Sequence, residues 1–279
     1  MNNRILTAKH LDDFKNHLIQ EEKSMATIGK YLRDAKAFLA YSMGKCITKE
    51  HTVAYKQFLQ EQGYAIRSIN SMLASINSLF DFLEWSDCKV KNLRFQRQTY
   101  CTESKELTKA EYFRLLEASR NQEQLNLVVQ TICGTGIRVS ELKYFTVEAM
   151  YAGKVTVRCK SKTRTILVPG KLKKLLLNYA KKSCIKSGVI FVSRNGRPLD
   201  RSNIWKQMKR LCAAAMVNPS KVFPHNLRKL FARTFYGIEK DIAKLADILG
   251  HSSIDTTRIY IMTTVTEHLR KIERLGLVV

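Results

Sequence analysis

No stretch of this 279-residue chain approaches the ~18 uninterrupted apolar residues that a membrane-spanning helix needs. The opening Met1-Asn2-Asn3-Arg4-Ile5-Leu6 runs straight into a charged amphipathic segment and shows no signal peptide. The cysteines are never closely paired. Cys46, Cys88, Cys101, Cys133, Cys159, Cys184 and Cys212 stand singly, odd in number and without a C-x-x-C, which argues against disulfides or a zinc knuckle. Free thiols in a reducing cytosol are the expectation. A Walker-type phosphate loop, an internal repeat, a low-complexity tract and a carboxylate cluster for two-metal chemistry are all missing. Acid is scarce relative to base: 24 Asp+Glu face 48 Lys+Arg, a net charge of +24. Like charges repel in a compact state, so folding does not ask for such an excess. A polyanionic partner compensates for it, nucleic acid being the usual one, and affinity that falls steeply with salt would follow. The blander reading is a solvated basic surface.

What is present begins with helices. At roughly 100–200 residues per domain, one large or two modest domains fit the length. Leu11, Phe14 and Leu18 follow a cap at Thr7. Ser24 opens a run with Ile28, Tyr31, Leu32, Ala35, Phe38 and Leu39 at helical spacing. Thr48 starts a third, with Tyr55, Phe58 and Leu59, and Ile69, Met72, Leu73, Ile76, Leu79, Phe80 and Leu83 form the fourth. Four amphipathic helices make a small bundle over 1–95. Periodicity fails between Lys89 and Glu106, where Lys89, Lys91, Arg94, Arg97 and Lys105 give a basic interdomain linker, placed at 96–106. A second domain, 107–279, opens at Thr108 with Glu111 in capping-box spacing. Its helical pattern through Leu115, Leu116, Leu125, Val128, Val129 and Ile132 breaks at Gly134-Thr135-Gly136. Lys154–Arg158 and Thr165–Val168 alternate around the basic turn Cys159–Arg164, a β-hairpin with a cationic tip, and Val189–Val192 reads as one more short strand. The fold class is mainly α with a small antiparallel β-sheet.

Four segments carry candidate chemistry. Arg138 follows a glycine turn at the start of a helix, where backbone N–H groups and the helix dipole favour an anion; a surface arginine paired with Glu141 is the alternative. In Pro224-His225-Asn226-Leu227-Arg228, the i,i+3 spacing puts imidazole and guanidinium on one helical face, suited to a phosphate. His251 sits just past Gly250, the expected C′ residue of a helix over Asp241–Leu249. Tyr260 closes Asp255-Thr256-Thr257-Arg258-Ile259-Tyr260, a short helix capped by Ser253 or Asp255. Taken singly, a structural histidine and a core tyrosine explain these residues as well.

Together and in this order, Gly136-Ile137-Arg138-Val139-Ser140-Glu141-Leu142, Pro224–Arg228, Leu249-Gly250-His251-Ser252 and Thr256–Tyr260 resemble the tyrosine recombinase, or phage-integrase, family, in its small two-domain Xer-like form. The nine-residue step from His251 to Tyr260 belongs to the same pattern. The resemblance runs from about Thr108 to the end and makes the N-terminal bundle a SAM-like core-binding domain, followed by an α+β catalytic domain. It implies that Tyr260 attacks a backbone phosphorus and is joined to the 3′-phosphate, and that Arg138 and Arg228 grip the non-bridging oxygens. It implies further that Lys160 protonates the leaving 5′-oxygen, that His225 assists proton transfer and that His251 hydrogen-bonds the phosphate. Glu141 would orient its neighbours. Fixed guanidinium donors meet developing negative charge without reorganising, and adjacent cations favour the phenolate. The phosphotyrosyl bond keeps the energy of the broken one, so neither ATP nor metal nor another cofactor is implied.

The hairpin tip Lys160-Ser161-Lys162 is shorter than the family's Lys-Gly-x-Lys, which leaves Lys162 as a second candidate acid, and Lys229 stands where many members have histidine. Double-stranded DNA is the implied partner. A tail through Glu267, Leu269, Ile272, Leu275 and Leu277 would dock into a neighbouring protomer of a homotetramer, or fold back onto its own core. The element served, by integration and excision or by dimer resolution, is not written in the residues. Two other readings stand: a type IB topoisomerase-like relaxing enzyme, and a DNA-binding regulator without catalysis.

Overall fold

The computed structural model describes residues 4–94, 105–159, 162–262 and 265–277, with the backbone alone for Cys159, Lys162, Glu267 and Lys271. Helices dominate, with one two-stranded antiparallel sheet, and the chain divides into two compact units, Met1–Arg97 and Gln98–Val279. No helix among the described residues is long and apolar enough to cross a membrane.

The first unit is a bundle of α1 (Ala8–Gln20), α2 (Met25–Ser42), α3 (Lys49–Glu61) and α4 (Ile66–Phe82). Ser24 and Thr48 accept the backbone N–H of Thr27 and His51, which caps α2 and α3 at a gain of about 1 kcal/mol each. The apolar stripes meet in one core around Phe14, Phe38, Tyr55, Leu73, Ile76 and Phe80. A fully buried side chain of this size contributes about 1.5–3 kcal/mol. Past α4, asparagine side chains take over from the apolar stripe. Asn77 exchanges two hydrogen bonds with the Val90 backbone, and Asn70 does the same with Leu93. Residue 95, the last of the expected bundle, and residues 96–104 of the expected linker lie outside the described residues.

In the second unit Glu106 is buried and paired with Lys229 and Arg233. The Thr108/Glu111 capping box forms and opens α5 (Lys109–Ala118). Leu125, Val128, Val129 and Ile132 put α6 (Glu123–Thr135) at the centre of the core. The helix runs on through Gly134 and Thr135 and ends at Gly136, in the left-handed conformation at φ 64°, at the last of the three residues of the expected break. Next come a six-residue 3-10 turn (Val139–Tyr144), α7 (Val147–Ala152) and the hairpin of β1 (Lys154–Cys159) and β2 (Lys162–Leu167). The register runs from Lys154↔Leu167 to Cys159↔Lys162, so the second strand begins inside the expected turn. Lys160 lies outside the described residues. The strand expected over Val189–Val192 is not formed: among the described residues this segment makes only isolated bridges, Val189 to Thr146 and Val192 to Pro198. The chain continues through α8 (Gly170–Lys182), α9 (Arg201–Ala214), α10 (Pro224–Ile238), α11 (Ile242–Leu249), α12 (Ile254–Ile261) and α13 (Val265–Glu273). α10 packs against α6, α11 and α12.

Candidate active site

Residues from the four segments meet where α10, the turn after α11 and α12 converge. Arg228, on the second turn of α10, is 1% exposed. Its Nη1 donates to the carbonyl of Gly136, and its Nη2 donates to the carbonyl of Leu249 at 2.6 Å and to His251 Nε2 at 2.9 Å. The two carbonyls are free to accept because each lies at a helix C-terminus that ends on a left-handed glycine, Gly136 or Gly250. Both glycines are also needed for space. A Cβ on Gly136 would run into the Phe231 ring, and one on Gly250 would lie 2.6 Å from Arg164 Cδ. Burial first, and repulsion from Arg138 second, push the Arg228 guanidinium down to about 10.

Tyr260, on α12, is 8% exposed. Its ring lies between two imidazoles, 5.0 Å from His225 and 4.9 Å from His251, with the Arg228 guanidinium 5.9 Å from its centroid. Four of the six residues singled out from sequence are thus in one cluster. Arg138 joins it from the side: its Nη2 donates to the Gly250 carbonyl at 3.2 Å, and its side chain is 40% exposed. The helix expected to start at Arg138 is the 3-10 turn. The Arg138 backbone N–H, just ahead of the turn, donates to Glu141 Oε2 at 2.7 Å. The Glu141 carboxylate thus takes the N–H of Arg138, whose side chain lines the cleft together with Val139 and Ser140. A cleft of about 620 Å³ opens beside these groups, lined by Arg138, Ser140, Arg201, Trp205, His225 and Arg228 among others.

Two participants went unnoticed in the sequence. Arg164, on β2, donates from Nη2 to Glu141 Oε2 and from Nη1 to the Ile248 carbonyl. Buried Glu141 thereby pairs with both Arg138 and Arg164, leaving one net positive charge, and ties the hairpin to the His251 turn. The signal was the strand alternation, since Arg164 shares the inward face with Ile166 and Val168, where a charge calls for a buried partner. The other is Thr257, 0% exposed, whose Oγ1 lies 2.9 Å from His251 Nδ1.

Both imidazoles are held below the ordinary histidine value, His251 down to about 4, by burial first and then by surrounding cations that include Arg228 and Arg138. A histidine kept neutral in the fold takes up its proton more readily once unfolded. Its share of stability is complete above the ordinary value of 6.5 and is lost as the pH falls toward about 4. Urea unfolding across that window should show declining stability, with a shallower decline in His251→Gln. An unchanged slope in the variant would remove His251 as a source.

The sequence and the fold both have known counterparts. The sequence model of the phage integrase family matches residues 105–267, and that of the phage integrase N-terminal SAM-like domain matches residues 11–87. Tyrosine recombinase XerA of Pyrococcus furiosus is 30% identical, with 99% of this chain and 97% of that protein aligned. Tyrosine recombinase XerD of Halalkalibacterium halodurans is 31% identical over 90% of this chain and 92% of its own. Among solved structures, a lambda integrase tetramer bound to a Holliday junction shares the fold with a TM-score of 0.73 and 19% identity, covering 93% of this chain and 78% of that one.

Proposed function

Because the chain belongs to the phage integrase family, and so is a site-specific recombinase that breaks and rejoins DNA, we propose that its chemistry runs through Tyr260 at a phosphate gripped by Arg138 and Arg228. The observation that carries this reading is the state of Arg228. It donates to two carbonyls and an imidazole and also interacts with the Tyr260 hydroxyl, no carboxylate is paired with it among the described residues, and its buried Nε has no hydrogen-bond partner there. A desolvated cation without a counter-ion is costly. A phosphodiester oxygen in the cleft supplies both the missing charge and the missing acceptor.

In this mechanism the Tyr260 oxygen attacks phosphorus and passes its proton toward His225, which the surrounding cations and burial keep neutral and able to accept. Charge gathering on the non-bridging oxygens is met by Arg138 from the cleft side and by Arg228 from beneath, with His251 as a third donor. The bond from phosphorus to the 5′-oxygen breaks, and Lys160 protonates the leaving alkoxide. The product is a 3′-phosphotyrosyl linkage and a free 5′-hydroxyl. One phosphodiester has been exchanged for another, so a second 5′-hydroxyl reverses the sequence without ATP. Glu141 and Arg164 hold Arg138, the hairpin and the His251 turn in register.

The partner in this reading is double-stranded DNA, in keeping with the +24 charge, recognised by a core-binding domain over 1–95 and a catalytic domain over 107–279. A homotetramer on paired sites is the working assembly, with α13 and the residues after it docking into a neighbouring protomer. Their apolar side chains support that role: Leu269 and Ile272 are each 52% exposed, and Leu277 is 82% exposed. The test is a supercoiled plasmid carrying two copies of a candidate site taken from repeats flanking the gene. Inverted or excised circles are expected. Relaxation without recombinants would favour a type IB-like relaxing enzyme, and bound but unaltered plasmid would favour a non-catalytic regulator.

A further inference from the structure

His251 is engaged at both ring nitrogens, and the two partners make different demands. The group 2.9 Å from Nε2 is Nη2 of Arg228, a guanidinium nitrogen that can only donate. Nε2 therefore accepts, and the ring proton sits on Nδ1, from which it is donated to Thr257 Oγ1. A scissile phosphate reverses this demand, because its non-bridging oxygens only accept. A neutral imidazole can serve such an oxygen through Nε2–H alone, which strips the proton from Nδ1 and leaves a buried nitrogen in need of a donor. Gaining a second proton instead is opposed first by burial of the ring and then by the positive charge of Arg228, Arg138 and Arg164. Thr257 is fully buried on α12, one turn ahead of Tyr260. A hydroxyl is the one kind of group that serves either form of Nδ1 without moving its heavy atoms, since its O–H rotates between accepting and donating.

We propose that Thr257 is a positioning residue for strand cleavage. Its hydroxyl accepts from His251 Nδ1–H in the free protein and donates to Nδ1 once DNA is bound, which turns Nε2–H toward the phosphate. This rests on the reading of His251 as a phosphate ligand given above. The consequence at position 257 is specific. Valine keeps the shape and loses the hydroxyl, so the DNA-bound tautomer has a buried acceptor with no donor; serine keeps the hydroxyl.

The test uses the full chain on a suicide substrate, with single-turnover cleavage and site affinity measured separately. Thr257→Val is expected to cleave about 10- to 100-fold more slowly with affinity nearly unchanged, and Thr257→Ser to stay within about threefold of wild type. In a His251→Ala background, Thr257→Val should cost nothing further, because the nitrogen it serves is gone. Nitrogen-15 shifts of the His251 ring, read in Tyr260→Phe with and without DNA, should report Nδ1–H in the free protein and Nε2–H in the complex. That readout does not depend on the valine variant folding. Wild-type cleavage by Thr257→Val, an equal loss in both backgrounds, or a ring that keeps Nδ1–H on DNA would each overturn the proposal while leaving the nucleophile and clamp intact. A His251→Ala variant that cleaves as fast as wild type would overturn the phosphate-ligand reading and this proposal with it.

Discussion

Tyr260→Phe is expected to abolish the covalent DNA–protein adduct completely while leaving the fold and site affinity in place. The reason lies in how the ring is held. Tyr260 packs with Ala232, Leu245 and Leu249 and against the imidazoles of His225 and His251, contacts that a phenylalanine ring reproduces apart from the hydroxyl's interaction with Arg228. Stability should therefore shift by less than about 1.5 kcal/mol, as volume-conserving swaps do. What is lost is the one oxygen that becomes bonded to phosphorus, and no neighbouring group in the cluster can replace it as a nucleophile that leaves again. Band-shift and adduct assays on the same suicide substrate separate the two effects. Binding lost in parallel with cleavage would make Tyr260 a structural residue.

Arg228→Lys is the second large effect, and it tests geometry rather than charge. The guanidinium reaches the carbonyls of Gly136 and Leu249 and the His251 ring at once, with Nε left over for an incoming oxygen. A single ammonium keeps the positive charge but cannot span three acceptors and still face the phosphate. Single-turnover cleavage should fall about 10²- to 10³-fold, the range found when one fixed donor to developing charge is removed. Site affinity should change far less, because ground-state attraction is spread over the whole basic surface. A loss shared equally by binding and cleavage would mean that Arg228 holds the DNA without favouring the transition state.

The pH dependence of stability connects these groups to one another. His225 and His251 are held below the ordinary histidine value by burial first and by neighbouring cations second, and the proposed roles, one accepting a proton and the other donating a hydrogen bond, both call for the neutral ring. Acidification loads protons onto the unfolded chain first, so the site contributes to the protein's acid sensitivity as well as to its chemistry.

Much of the fold was legible in the sequence for a simple reason. Apolar burial on a helix repeats with the helix, so Phe14, Phe38, Leu73 and Ile76 announced their faces, and Ser24, Thr48 and Thr108 announced the caps. The cluster around Tyr260 was legible in another way, through the order and spacing of Arg138, His225, Arg228, His251 and Tyr260. Polar bonds between distant residues carry no period. Asn70 and Asn77 fix residues 90 and 93 through side chain to backbone bonds that leave no pattern. Arg164 looked like part of a cationic turn until the register placed it inside β2, across from Val157 and against Glu141. The 3-10 turn at Arg138 was read as a helix because six residues are too few for periodicity to separate the two.

Mapping the tyrosine that becomes attached to DNA tests the central claim most directly. The full chain is incubated with a nicked suicide substrate carrying its site, the adduct is isolated and digested, and the nucleotide-bearing peptide is sequenced. The account predicts a single adduct on Tyr260, through the 3′-phosphate, with a free 5′-hydroxyl on the departing strand. Site-bound protein that yields no adduct, or an adduct on any other residue, would contradict it.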